Sequence, residues 1–214
     1  MSESISVLAV TAVSIAFLHT LFGPDHYLPF IAISKAKGWN MRKTLFVTFL
    51  SGLGHVLGSV ILGFIGISLG LMINKIELFE SMRGNLAAWA FIAFGLIYFV
   101  WGLKKAFQHK HPSHFKDATK KDVTIWTLFI IFVLGPCEPL IPILMYPAAQ
   151  NNFGGLVLVT SLFAIVTIGT MMSVVFLAAS GLKFVKIQKL QRFSHSLAGF
   201  VILMSGVGIQ FLGL

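Results

Sequence analysis

The chain has 214 residues, of which 57% are hydrophobic and only 11% are charged, and its mean hydropathy is positive. A soluble domain carries roughly 25% charged residues, so this composition excludes one and points to an all-α integral membrane protein. The formal net charge of +9 would suit nucleic acid, but too little chain lies outside the apolar runs to build a basic binding face, and nucleic acid is excluded as a partner.

Apolar runs fall at residues 5–34, 44–73, 86–103, 124–149, 155–182 and 194–214, and each reaches the roughly 18–20 residues that cross hydrocarbon. Six spans are expected. The first run has Glu3 and no basic residue ahead of it, so it lacks a signal peptide's charged start and is expected to stay as a span. At 1.5 Å per residue it would measure roughly 45 Å against roughly 30 Å of hydrocarbon, which calls for a break, a tilt or a re-entrant segment. Gly23-Pro24, followed by Asp25-His26 and Pro29, supplies the break, because proline removes a donor and clashes with the preceding turn. His19 precedes it by one turn. The second run carries His55 within Gly54-His55-Val56-Leu57-Gly58. After the third run comes a basic segment with His109, His111 and His114, which reads as a metal trap or as a polar linker. The fourth run holds Gly135-Pro136-Cys137-Glu138 and further prolines at 139, 142 and 147, so it too should be broken.

Fourteen of the sixteen Lys and Arg residues lie in three alternate loops, 35–43, 104–123 and 183–193, leaving Lys75 and Arg83 on the other side. The positive-inside rule makes those loops cytoplasmic and places both termini outside, as in a bacterial cytoplasmic membrane. No Lys or Arg falls inside an expected span. The single cysteine rules out an internal disulfide.

The two Gly-Pro phrases are 112 positions apart, and Leu45, Gly58, Gly70, Leu86-Ala87, Gly95 and Gly102-Leu103 each recur 111 positions later. Residues 1–103 and 124–214 therefore read as two three-helix repeats joined by the loop 104–123. Three spans per half is an odd number, so the second copy must enter from the opposite side, giving an inverted repeat with spans 1 and 4 broken at Gly-Pro. Such transporters bind substrate near the midplane on the broken helices.

Ionisable residues inside a membrane are costly and usually functional. Asp25 and His26 follow Gly23-Pro24; Cys137 and Glu138 follow Gly135-Pro136. Brought together, these S, N and O donors suit a borderline divalent ion of the Ni, Co, Zn or Fe class, since thiolate and imidazole are poor partners for Mg²⁺ or Ca²⁺. Each has a plainer alternative. Asp25 and Glu138 could form a structural pair, Cys137 could be a small buried hydrophobe, and His19 and His55 could pack between helices or line the path to the site.

His19 to His26, written His-Thr-Leu-Phe-Gly-Pro-Asp-His, resembles the first-helix histidine-to-Asp-His signature of nickel/cobalt transporters, and Leu53-Gly54-His55 resembles their second-helix element. The spacing from His19 to Asp25 is one residue longer than that family's, and six spans stand where it has eight. The whole chain looks like the wider lysine-exporter superfamily, including its small urease-accessory-like and sulfite-exporter-like proteins. Gly135-Pro136-Cys137 also resembles the Pro-Cys elements of the membrane electron carriers that serve cytochrome c maturation and disulfide reduction. Those use two cysteines, and Asp25 stands in place of the second here.

The resulting expectation is a transporter, not an enzyme. It carries a transition-metal ion as substrate and no permanently bound cofactor, through Asp25, His26, Cys137 and Glu138, with His19 and His55 along the path. Its partners are the lipid bilayer and the ion, with a homodimer left open. A thiol or electron carrier, an exporter of sulfur oxyanions, and a scaffold with a structural metal are the rival readings.

Overall fold

The computed structural model describes residues 3–70, 73–107, 123–135, 137, 139–182 and 192–212. Pro136, Glu138 and the His109, His111 and His114 segment lie outside the described residues. Within them the fold is all-helical: α1 (Glu3–Phe22), α2 (Leu28–Lys37), α3 (Met41–Ser68), α4 (Ile73–Phe107), α5 (Val123–Leu134), α6 (Leu140–Ala149), α7 (Phe153–Gly181) and α8 (Ser194–Leu212), with a 3-10 turn at Pro24–His26. Large apolar side chains such as Ile61, Ile97 and Ile165 are exposed on the outer faces, an arrangement suited to lipid and not to water.

Among the described residues, five helices are long and apolar enough to cross a membrane: Ile5–Phe22, Met41–Ser68, Lys75–Phe107, Phe153–Gly181 and Ser194–Leu212. The fourth expected span is instead two short helices, α5 of 12 residues and α6 of 10. Gly135 is the reason at the residue level, since the chain leaves helical geometry there and prolines follow. The first run divides at Gly23 in the same way, into α1 and α2. The third run is longer than its hydropathy implies: α4 has 35 residues, about 52 Å of helix. It takes in Glu77, Glu80 and Arg83, which fall between the apolar runs and so read as loop residues.

Several helix pairings recur between the first four helices and the last four. α4 lies along α8, and α3 along α7; α1 packs on α7 as α5 packs on α3, and α2 meets α8 as α6 meets α4. The correspondence reaches single residues. A Cβ on Gly95 would strike the backbone of Leu203 and stand 3.0 Å from the Gly199 carbonyl oxygen; one on Gly206 would stand 2.8 Å from the Ile92 nitrogen and 2.9 Å from the Ala88 carbonyl oxygen. Every one of those positions moves onto its counterpart by an offset of 111. Asn40 caps α3 by accepting from the Lys43 N–H, and Asn152 caps α7 by accepting from the Gly155 N–H, each at 2.8 Å. Side-chain caps satisfy amide groups that the first turn leaves open.

Two apolar clusters fill the interior. One gathers Phe30, Ile33, Val47, Phe91, Phe132 and Met171. The other gathers Ala12, Ala16, Val56, Leu140 and Phe163. The first Gly-Pro break, with its histidines, sits beside them.

Candidate metal centre

In an unbroken helix, seven residues separate His19 and His26 by about 10.5 Å along the axis. Here α1 ends when the Gly23 N–H donates to the His19 carbonyl at 2.9 Å. Pro24 then opens a tight turn in which the His26 N–H donates to Gly23 and the Tyr27 N–H to Pro24. The turn folds His26 back, so that its ring centroid lies 4.9 Å from that of His19, edge to face at 81°. The side chain at position 23 must be absent for this: a Cβ there would stand 2.5 Å from His26 Nδ1 and 2.9 Å from the His19 carbonyl oxygen. The Leu21 carbonyl, released by the break, accepts from the Tyr27 hydroxyl at 3.1 Å.

His55, mid-way along α3, completes the group with its ring 5.1 Å from that of His26, again edge to face. Its Nδ1 lies 3.3 Å from the Phe132 carbonyl oxygen at the end of α5. His26 Nδ1 lies 3.2 Å from both the Gly23 carbonyl oxygen and Asp25 Oδ1. A carbonyl oxygen can only accept, so Nδ1 is the donating nitrogen of both rings, and in the neutral form each offers a lone pair at Nε2. The Nε2 atoms of His19, His26 and His55 are all buried and have no hydrogen-bond partner among the described groups.

Three ligand nitrogens, one per ring, lie within 4.8 Å of one another. Nitrogens bound to a metal at about 2.1 Å in a tetrahedron stand about 3.4 Å apart, so small ring rotations bring them into range. Holding a ligating imidazole by a backbone carbonyl or carboxylate on its other nitrogen is the usual arrangement at metal centres, because it fixes tautomer and orientation. Asp25 is so placed on His26, and its carboxylate lies beside the three rings. The group faces a cavity of about 430 Å³ whose lining also includes Ser81, Asn85, Phe91, Phe132 and Gln210.

The sequence-predicted ligands separate. His26 and Asp25 are at the site, and His19 and His55, expected only along the path, stand beside His26 as equals. Cys137 is fully buried in the apolar cluster with Ala12, Val56 and Leu140 and is not one of the convergent donors. Glu138 lies outside the described residues.

Three residues that sequence reasoning passed over surround the second break. Arg83 lies in α4, three residues ahead of the apolar run 86–103. Its Nη1 donates to Glu80 Oε1 at 2.5 Å, and its Nη2 donates to the Val133 carbonyl at 2.7 Å. Ser59 Oγ donates to Glu80 Oε2 at 3.2 Å and accepts from the Cys137 N–H at 3.1 Å. The i, i+3 spacing of Glu80 and Arg83 was the available signal. At the other end of α4, His195 shares hydrogen bonds with Tyr98 and Lys105, apart from His19, His26 and His55.

No family model, curated protein or solved structure matches the chain. The functional reading therefore rests on the histidine group and the helices that hold it.

Proposed function

We propose that the chain carries a divalent transition-metal cation across the membrane, bound by the Nε2 atoms of His19, His26 and His55 with Asp25 orienting His26 and balancing charge. One observation carries this reading: His19, His26 and His55 bring one ring nitrogen each within 4.8 Å of one another, all three Nε2 atoms are buried without a partner, and in His26 and His55 the opposite nitrogen faces a carbonyl. Unpartnered buried acceptors are costly, and a cation is the occupant that answers three lone pairs at once. Imidazole suits Zn, Fe, Ni and related ions, and Glu138 is the sequence's candidate for a fourth donor.

Transport, as opposed to a structural metal, is favoured by the cavity that reaches the site and by the exchange of pairings between the halves. The matched contacts of Gly95 and Gly206 support descent from an inverted duplication of three spans, the architecture in which broken helices carry substrate and the halves rock about it. A thiol carrier draws less support, since dithiol exchange needs an accessible sulfur and Cys137 is 0% exposed.

The test is a Ni²⁺ and Co²⁺ titration of the purified chain, paired with uptake into liposomes. Saturable one-to-one binding and uptake are expected, with uptake lost and binding sharply weakened in His26→Ala and His55→Ala. Binding that those substitutions leave unchanged, or none in the wild type, would sink the proposal; binding without uptake would leave a structural metal.

A further inference from the structure

Arg83 sits about three turns into α4, beside Glu80, which is 1% exposed. Removing two charges from water costs several kcal/mol per ion unless further hydrogen bonds satisfy them, so their other contacts indicate what the pair is for. Those contacts converge on the broken end of α5. Arg83 Nη2 reaches the carbonyl oxygens of Val133 at 2.7 Å and Gly135 at 3.4 Å. The last carbonyls of a helix can accept bonds from outside it, and in α5 one of them, Phe132, accepts from the Gly135 N–H at 3.1 Å and also holds His55 Nδ1 at 3.3 Å. Gly135 is close as well, since a Cβ there would stand 3.2 Å from His55 Nδ1.

His55 from α3 and Arg83 from α4 thus grip neighbouring carbonyls of the same helix end. We propose that Arg83, oriented by Glu80, is a positioning residue for the metal centre: it fixes the end of α5, so that the Phe132 carbonyl sets the tautomer and direction of His55. The inference rests on the metal reading of the histidine group. Arg83 is not itself a lining residue of the cavity, and acts through the end of α5 on His55.

The experiment titrates full-length protein in detergent with Co²⁺, followed by calorimetry and by visible absorption, which reports ligand number and geometry. Arg83→Gln is expected to weaken binding about 10–100-fold, the usual consequence of removing a group that supports a ligand, and to change the absorption bands as one imidazole is lost. Arg83→Lys should restore part of both. In His55→Ala protein, Arg83→Gln should cause no further loss, because residues acting as one unit are not additive. Losses that multiply, or an Arg83→Gln protein that binds as the wild type does, overturn the proposal. Should Arg83→Gln not fold, Glu80→Gln carries the same comparisons. Should the wild type bind no Co²⁺, the metal reading falls, and nitrogen NMR of the histidine rings still decides the positioning. Arg83→Gln should move the His55 ring signals and leave those of His195 in place, and unmoved His55 signals overturn it.

Discussion

At the scale of single residues, the site depends on one missing side chain. Gly23 has φ −87, a conformation open to any residue, so its requirement is for space and not for backbone freedom. A methyl group at that position would overlap His26 Nδ1 and crowd the His19 carbonyl. Gly23→Ala is therefore expected to push His26 from its carbonyl and carboxylate partners and to reduce metal affinity at least about 10-fold. Gly38 makes the control. It has φ +63 and no atom within 4 Å of where a methyl group would stand, so Gly38→Ala should cost about 1 kcal/mol of stability at the end of α2 and leave binding unchanged. Metal titration with thermal unfolding of both variants separates the two; equal affinity in Gly23→Ala and wild type would show that the turn does not depend on that contact.

At the scale of elements, the closest approach among the described helices is the α4–α8 seam, where Gly95 and Gly206 let backbones touch. Membrane helices lack a hydrophobic drive toward each other and associate through such packing. Gly95→Ala and Gly206→Ala should each destabilise by about 1–3 kcal/mol, the usual cost of overpacking, and by similar amounts because their contacts correspond. Unfolding in mixed micelles measures both; a large loss in one and none in the other would argue against equivalent halves. This seam was partly legible in the sequence, since Gly95 and Gly206 recur at the offset of 111. So were the two breaks, because glycine and proline act locally. The length of α4 was not. Glu77, Glu80 and Arg83 read as a loop to any rule that treats a charge as a mark of water, whereas Glu80 is buried by partners 21 residues away at Ser59 and, through Arg83, 50 residues away at Val133. The convergence of the three histidines was not legible for a related reason. Spacing along a continuous helix cannot show that a turn folds His26 back on His19, or that α3 brings His55 to meet them.

At the scale of the whole molecule, the described residues give the site a cavity that opens toward one side. The cavity runs from the histidines past Ser81, Asn85 and Gln210, near the start of α4 and the end of α8, and Ser81 and Asn85 are exposed. In the other direction Phe132 packs between Phe30 and Phe91, with ring centroids 4.6 and 5.8 Å away. Beyond these rings lie Ile33, Val47 and Met171, all buried, and then the end bearing Lys35 and Lys43, where Lys35 Nζ donates to the Leu182 carbonyl at 2.8 Å. Among the described residues, the cavity leads from the histidines toward the face away from those lysines. If basic loops face the cytoplasm, that open face is the outer one. Asn85→Cys should then react with a membrane-impermeant maleimide added to the outside of intact cells, while wild-type protein stays unlabelled because its one cysteine, Cys137, is fully buried. Added Ni²⁺ should slow the labelling of Asn85→Cys by filling the cavity or by closing its mouth, and should have no effect when His55→Ala is combined with it. Labelling only after the inner face is exposed would reverse the assigned orientation, and labelling indifferent to Ni²⁺ would separate this cavity from the metal's route.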